Sequence, residues 1–391
     1  EEEEDRSLFR FLKGVFYFFH RDEPGEYDVQ TPGQSAIIRG TEFHLAVTEA
    51  GETSILMIDG EVLLWNKLGE LPLRSGESGA AATGTAPRKT PRLEAINIMQ
   101  WALYYPACVY WEDLPFTAAE LLRIESSLTA YRRGDPAVAL ARMPESTGES
   151  TPGEEIYRAA LLLSVGGVAE AEQHLVCLET GGFPVDHEQR GQELVGALRT
   201  VIAAVKLQPR PKSGGSPATA SAWLGESFYR QSRGDLTGAL EAVRRSVELA
   251  PEFGFAWAQL AELEFGHGRN RPARQAVERS LALAPIAAQP WALRGFLRLA
   301  ENRVAEARRD FERAIDLDNG LGNAWLGRGL ARIRHGDTRG GVADLEMAVL
   351  AEPQRAAFRS YLGKAFSLSR NDPKALVELD LAKRFDPGDP T

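Results

Sequence analysis

The sequence predicts an α plus β multidomain chain, in which a small all-β N-terminal domain precedes an α-helical solenoid. Short apolar runs broken by glycine fill the N-terminal part, whereas a 34-residue period governs residues 220–391. With 43% apolar and 26% charged residues, the composition is that of a soluble protein able to build cores. The predicted segments are a β domain over 1–92, an aromatic junction over 93–115, degenerate helical hairpins over 116–210, a loop over 211–219 and five repeats over 220–391.

The C-terminal period is clearest in four tryptophans spaced 34 residues apart: Trp223, Trp257, Trp291 and Trp325. Small residues and prolines recur at other fixed phases of the same period. The columns are Ser227, Ala261, Gly295, Gly329 and Gly363; Ala239, Ala273, Ala307, Gly341 and Ala375; Ser246, Ser280, Ala314, Ala348 and Ala382; Pro251, Pro285, Asn319, Pro353 and Pro387. Small residues let two antiparallel helices cross closely, and proline ends each unit. These columns resemble the tetratricopeptide (TPR) pattern, which predicts five TPR units.

In the N-terminal part, the predicted strands are runs rich in Val, Ile, Leu, Thr and Phe: 27–30, 36–39, 42–47, 53–58, 62–66 and 70–73. Asp59-Gly60 predicts a tight turn, because glycine accepts the positive φ that such turns demand. The glycines between runs are seven to eleven residues apart, which suits both hairpins and the corners of a small β-solenoid. Periodicity alone does not choose between them.

Several motifs over about residues 10–85 resemble a FecR-type domain. They are Val29-Gln30-Thr31-Pro32-Gly33, Ile38-Arg39-Gly40-Thr41-Glu42-Phe43, Gly51-Glu52-Thr53, Asp59-Gly60-Glu61-Val62 and Gly76-Glu77. The resemblance implies a small, solenoid-like, extracytoplasmic β domain of a kind that relays signals from outer-membrane transporters. No anti-sigma helices or membrane span precede these motifs, and we expect the first strands of the domain to lie outside this sequence.

The junction contains five aromatic residues: Trp101, Tyr104, Tyr105, Tyr110 and Trp111. One interpretation is a stacking platform for a sugar or peptide. The other is an apolar strap that docks the β domain onto the first helices, which Pro106 favours because it interrupts any regular face.

Between the junction and the regular repeats, the pattern predicts helical hairpins. Thr117 and Glu120 form a capping box that opens a helix through Arg133. Further helices are predicted over 154–164, 168–178 and 187–206. Arg133-Gly134-Asp135 and Arg233-Gly234-Asp235 spell an adhesion tripeptide, but glycine and then aspartate are also what the turn of a hairpin requires.

In TPR arrays the first helix of each unit lines a concave face. Carried onto this sequence, the residues facing it include Leu224, Phe228, Phe255, Phe265, Phe296, Leu299, Leu326, Leu330 and Ile333. A groove this apolar favours a protein partner, bound as an extended peptide or an amphipathic helix. A phase error of one residue, or a neighbouring domain filling the groove, remains open as an alternative.

No motif for catalysis, cofactor binding or metal binding stands out. The six histidines are scattered, and neither a phosphate-binding loop nor a nucleophile elbow is present. The net charge of −10, half of it from residues 1–5, argues against general nucleic-acid affinity. The apolar run over 8–19 is too short to span a bilayer. Cys108 and Cys177 are interpreted as single apolar residues, and so few cysteines are compatible with cytoplasm or periplasm.

The leading hypothesis is a non-enzymatic scaffold for protein–protein interaction. The FecR and TPR resemblances together imply a bacterial cell-envelope protein, periplasmic or otherwise extracytoplasmic and associated with the outer membrane, that serves transport, signalling or assembly. Further repeats or a β-barrel are expected in the same polypeptide. Two alternatives are a carbohydrate- or cell-wall-binding module that uses the β domain and the junction aromatics, and a structural subunit of an extracellular filament or layer.

Overall fold

The computed structural model describes residues 7–11, 14–19, 25–48, 51–74, 77–90, 107–144, 150–181, 188–206, 208–211, 217–353 and 355–386. The chain divides into two compact units. One consists of residues 100–351, and the other of residues 1–99 and 352–391.

The described N-terminal residues form one sheet in the order β1-β3-β4-β5-β7-β8, with β2 paired to β4 and β6 paired to β5. Its strands are β1 (Ser7–Arg10), β2 (Gly14–Phe19), β3 (Gly25–Gln30), β4 (Ser35–Val47), β5 (Thr53–Asn66), β6 (Gly69–Arg74), β7 (Ser78–Ala81) and β8 (Arg88–Thr90). The pairings are antiparallel, except that β1 runs parallel to β3. Of the two arrangements that the glycine spacing allowed, these strands adopt hairpins.

Two predicted breaks in this sheet are wrong. Strand β4 runs through Gly40 and β5 runs through Asp59-Gly60, and the two strands pair along both halves. Register irregularities occur between Gly40 and Phe43 instead of a turn, because glycine inside a strand also suits a bulge or a bend. The irregularity shifts the side-chain phase, so Ile38 and Phe43 both reach the core although they are an odd number of residues apart.

The degenerate helices are α1 (Ala118–Arg123), α2 (Glu125–Arg133), α3 (Pro136–Ala141), α4 (Pro152–Ser164), α5 (Val168–Gly181) and α6 (Glu188–Val205). The predicted capping box is confirmed, since the Thr117 side chain accepts from the Glu120 N–H and Glu120 accepts from the Thr117 N–H. A second box joins Thr151 and Glu154, which the sequence analysis missed. The single helix predicted through Arg133 is wrong in one respect, because it is interrupted at Ile124 between α1 and α2.

The regular repeats consist of one helical hairpin each. The pairs are α7 (Ala220–Ser232) with α8 (Leu236–Leu249), α9 (Gly254–Gly266) with α10 (Asn270–Leu283), α11 (Ala288–Ala300) with α12 (Val304–Leu317), α13 (Gly322–Arg334) with α14 (Thr338–Ala351) and α15 (Ala356–Leu368) with α16 (Asp372–Phe385). We number these hairpins repeats 1 to 5, beginning at residues 220, 254, 288, 322 and 356. The predicted helical solenoid is confirmed.

The tryptophan column has a hydrogen-bonding role as well as a packing role. In repeats 2 to 4 the indole N–H donates to the carbonyl six residues earlier: Trp257 to Pro251 at 2.9 Å, Trp291 to Pro285 at 2.9 Å and Trp325 to Asn319 at 2.8 Å. Repeat 5 has Arg359 at this phase, and its Nε donates to the Pro353 carbonyl at 2.6 Å. An arginine therefore reproduces the bond that tryptophan makes elsewhere in the array.

The small-residue columns mark two kinds of close contact. Serine hydroxyls at the same phase of repeats 1 and 2 donate to the backbone carbonyl of the first residue of their own repeat. Ser246 donates to Ala220 at 2.7 Å, and Ser280 donates to Gly254 at 2.8 Å. Glycine makes room for large neighbours: a Cβ placed on Gly327 would lie 2.1 Å from Cε1 of the buried Phe311 ring. These contacts join the helices within and between repeats.

Candidate functional site

Residues 107–117, which we call the strap, lie against the first helices of repeats 1 and 2. The Tyr110 N–H donates to the Ser221 hydroxyl oxygen at 2.8 Å. The Ser221 N–H and hydroxyl both donate to Oδ2 of the buried Asp113, at 2.9 and 2.6 Å. The Tyr110 ring stacks at a tilt 5.4 Å from that of Phe253. Polar and apolar contacts thus hold the strap on residues more than a hundred positions away.

The turn between α2 and α3 continues this contact onto repeats 2 and 3. The Tyr131 ring lies 5.4 Å from the Phe255 ring, and the Arg133 carbonyl accepts from the Ile286 N–H at 3.1 Å. Gly134 has φ +100°, and a Cβ there would lie 2.7 Å from the backbone nitrogen of Ala287. Only glycine therefore fits, which gives the Arg-Gly-Asp sequence a structural reason.

Five of the nine predicted groove residues are buried by other parts of the chain. Leu224 and Phe228 lie one and two turns after Ser221 on α7 and are 0% and 1% exposed, and Phe255 is 5% exposed. Leu299 and Leu326, at 9% and 7% exposure, are also core residues. These five side chains contribute to packing, and a partner would have to displace neighbours to reach them.

The other four groove residues are half-buried: Phe265, Phe296, Leu330 and Ile333. We call this set the open groove. It extends over the first helices of repeats 2, 3 and 4, beyond the part that the strap covers. Phe296 is fixed from behind by an edge contact with the Phe311 ring, 5.0 Å between centroids. These four side chains thus pack partly on the core and keep part of their apolar surface accessible.

A ladder of polar side chains joins the first helices of repeats 1 to 3. Gln259 Nε2 donates to Gln231 Oε1 at 2.6 Å, and Gln231 Nε2 donates to Glu262 Oε1 at 3.1 Å. Gln289 Nε2 donates to Glu262 Oε2 at 2.7 Å. The ladder joins α7, α9 and α11, so the spacing of the first helices of repeats 1 to 3 is set by hydrogen bonds as well as by apolar packing.

The predicted aromatic platform is described only at its C-terminal end. Trp101, Tyr104 and Tyr105 lie outside the described residues. Tyr110 packs on Phe253, and Trp111 is half-buried beneath the guanidinium of Arg132, 4.5 Å from the ring centroid. Both rings are therefore engaged with helices of the same chain.

A second concavity, of about 730 Å³, lies at one end of the sheet. It is lined by three segments, 30–35, 65–68 and 83–84, which comprise turns and the strand ends beside them. Among them, Gln34 and Asn66 bind other residues of the sheet domain: Gln34 donates to the Ala81 and Ala82 carbonyls, and Asn66 donates to Gln34 Oε1 at 2.7 Å. These groups hold the loops together at this end of the sheet.

The described residues offer little for other chemistry. No three of their His, Cys, Asp and Glu side chains are grouped to hold a metal ion. Cys108 is buried, and burial raises the pKa of its thiol to about 12, while Cys177 is exposed. Across the described ranges, no helix combines the length and hydropathy needed to cross a membrane.

Asp113 provides a test of the strap by its titration. Burial raises the pKa of this carboxyl above 3.8, against the lowering effect of the two bonds from Ser221. The folded state therefore holds the proton more tightly than the unfolded chain, and stability falls as pH rises through the folded pKa.

Asn in place of Asp113 keeps an acceptor for Ser221 without a buried charge. We expect Asp113→Asn to raise the free energy of unfolding more at about pH 7 than at about pH 4, measured by urea unfolding. An equal effect at both pH values would contradict this account.

Comparison with known proteins agrees with the repeat periodicity. A family model described as "Tetratricopeptide repeat" matches residues 326–390. No curated protein is similar enough in sequence to count as a match. Taken with the hairpins and their 34-residue period, the family match makes this part of the chain a TPR array.

Solved structures similar to this chain include several TPR proteins. TTC0263 of Thermus thermophilus is 19% identical, over 44% of this chain and 93% of that one, with a TM-score of 0.41. MamA of Desulfovibrio magneticus RS-1 is 16% identical, over 44% of this chain and 97% of that one, with a TM-score of 0.34. YrrB, described as a TPR protein with an unusual peptide-binding site, is 18% identical, over 43% of this chain and 87% of that one, with a TM-score of 0.32.

Proposed function

We propose that this protein is a non-enzymatic scaffold that binds a protein partner in the open groove. The observation that carries the proposal is the row of half-buried apolar side chains, Phe265, Phe296, Leu330 and Ile333, along one face of the array. Contiguous apolar surface on a rigid support is characteristic of a partner-binding site.

The strap supports an extended segment as the form of the partner. It lies against Ser221 and Phe253 at the first helices of repeats 1 and 2, and residues 107–110 and 114–117 have no helical structure. Tyr110 is extended, with φ −78° and ψ 125°, and its ring packs on Phe253 of the array. A partner chain with large apolar side chains at alternate positions continues this arrangement onto repeats 2 to 4.

Fluorescence anisotropy with two labelled peptides tests this proposal. One alternates phenylalanine and glutamine and is extended, and the other is an amphipathic leucine–glutamine helix. We expect the extended peptide to bind, and Phe265→Glu/Phe296→Glu to weaken binding roughly tenfold or more, because charges replace central aromatic contacts. Tighter binding of the helix would replace the extended form with a helical one, and binding of neither peptide would overturn the groove proposal.

The matched control is Leu236→Glu/Leu249→Glu, at positions 42% and 54% exposed on the second helix of repeat 1. It also replaces two large apolar side chains with glutamate, but outside the groove, and should leave peptide affinity unchanged. Circular dichroism establishes that each variant is folded. Because Phe296 also contacts Phe311, the single variant Phe265→Glu provides a second measurement that leaves this packing intact.

We also propose that the scaffold acts in the bacterial cell envelope, on the extracytoplasmic side and in association with the outer membrane. The resemblance of the motifs over about residues 10–85 to a FecR-type domain supports this location. Fractionation of cells producing the full-length gene product tests the proposal. Recovery in the cytoplasm would overturn it.

A further inference from the structure

A cavity of about 340 Å³ opens beside the concave face, where the degenerate hairpins meet repeats 2 to 4. It is lined by the α2–α3 turn, the α4–α5 turn, the N-terminal parts of α9 and α11 and the α12–α13 loop. Phe255, Val165 and Leu321 supply apolar walls. Its size, and a lining in which polar and apolar surface are similar in extent, suit one side chain with an apolar stem and a polar end.

The charged residues in this lining are all acidic. Asp135 caps α3 by accepting from the Val138 N–H, and Asp318 accepts from the Gly320 N–H. No lysine, arginine or histidine is among the described residues that line the cavity. Asp318 is an exposed residue, but partial desolvation of its carboxyl raises its pKa against the lowering effect of the Gly320 bond. The cavity thus presents anionic acceptors without a compensating cation.

Gln289 adds a neutral acceptor to the same lining. Its Nε2 donates to Glu262, and because an ionised carboxylate only accepts, this contact fixes which end of the amide faces Glu262. The opposite oxygen, Oε1, is buried and has no hydrogen-bond partner among the described residues. A hydrogen-bond donor that enters the cavity would bind Gln289 Oε1 after a small adjustment of the Gln289 side chain.

The cavity and the open groove share α11. Gln289 and Phe296 lie two turns, about 11 Å, apart on one face of this helix. A long side chain or a few further residues of a chain bound at Phe296 would therefore reach the cavity. We infer that the partner places the cationic end of a lysine or arginine side chain in this cavity, between Asp135, Asp318 and Gln289, with its aliphatic stem against the exposed side chain of Val165. This inference rests on the proposed function and specifies the partner's chemistry.

The test uses two labelled peptides of alternating phenylalanine and glutamine that differ at one position, lysine in one and glutamine in the other. Anisotropy titrations are run with the wild type and with Asp135→Asn/Asp318→Asn. Asparagine keeps an acceptor oxygen for the Val138 and Gly320 amides. The matched control is Asp235→Asn/Asp337→Asn, which makes the same change in net charge at two carboxylates that accept from Gly238 and Gly340 and lie outside the cavity.

We expect the wild type to bind the lysine peptide roughly tenfold more tightly than the glutamine peptide, as for a charge-assisted hydrogen bond in a partly desolvated site. The preference should vanish in Asp135→Asn/Asp318→Asn and persist in the control. Equal binding of the two peptides by the wild type, or loss of the preference in the control as well, would overturn the inference and leave the groove proposal standing. If neither peptide binds, the proposed function fails and the inference fails with it.

Discussion

Arg359→Ala is expected to destabilise the hairpin of repeat 5 by about 3–5 kcal/mol, the cost of breaking a buried ion pair from one side. Arg359 is 0% exposed, and its Nη1 lies 2.8 Å from Glu378 Oε2. The same guanidinium donates to the Pro353 carbonyl and lies over the Phe385 ring. Alanine would leave both acceptors without this donor, in a site where water does not easily replace it.

Amide hydrogen exchange in α15 and α16 measures this effect locally, because a repeat array opens in parts. The control is Arg384→Ala in the same hairpin, whose guanidinium is half-exposed and pairs with Asp380. That substitution should change protection by less than about 1 kcal/mol. Equal effects of the two substitutions would contradict a structural role for Arg359.

The repeat register also predicts a compensating pair. Repeat 2 has Trp257 and Ala276 at the phases where repeat 5 has Arg359 and Glu378. Arg359→Trp/Glu378→Ala should therefore restore the indole bond to the Pro353 carbonyl without a buried charge. Since apolar replacement of a buried ion pair is often neutral or stabilising, we expect protection near that of the wild type. Protection as low as in Arg359→Ala would show that repeat 5 needs its ion pair.

Phe311→Ala is the second large effect, with an expected cost of about 3–5 kcal/mol for removing a buried aromatic side chain. The ring is 0% exposed and lies against two glycines, Gly295 and Gly327, and against Phe296 of the open groove. Peptide affinity should fall together with stability, because Phe296 loses its support. Unfolding in urea and the anisotropy titration measure the two effects on one variant.

Gly327→Ala tests the same contact from the opposite side. Its new Cβ would overlap the Phe311 ring, and overpacking costs about 1–3 kcal/mol. Phe311→Leu removes part of the ring, so the double variant should cost less than the sum of the single costs. Additive costs would mean that the two residues do not press on each other.

Much of the fold follows from local pattern. The 34-residue period, the capping box at Thr117 and the Gly-Asp turns each predict structure within a hairpin, where sequence spacing and spatial distance agree. The break at Ile124 and the continuous course of β5 through Asp59-Gly60 were mispredicted. In both places one residue pattern suits two backbone arrangements, and packing chooses between them.

The exposure of the predicted groove residues could not be predicted from local pattern. These residues were assigned from the repeat phase alone, yet Leu224 and Phe228 are buried while Phe265 and Phe296 are half-buried. Distant segments pack on α7: α6 approaches it at Gly225, where a Cβ would lie 3.1 Å from the Ala197 carbonyl oxygen, and the strap reaches it through Ser221 and Asp113. A contact across more than a hundred residues leaves no periodic trace, since each side can meet its requirements in many ways.

By itself, the sequence determined the repeat and its hairpins, because these depend on neighbours along the chain. The tertiary structure added the bonds that Trp257 and its equivalents make to the last residues of the preceding repeat, and it decided which groove residues are buried and which stay half-buried. It also placed Asp135, Gln289 and Asp318 around one cavity. The physical reason is that a helix presents the same face in every repeat, while what covers that face is set by packing between distant segments.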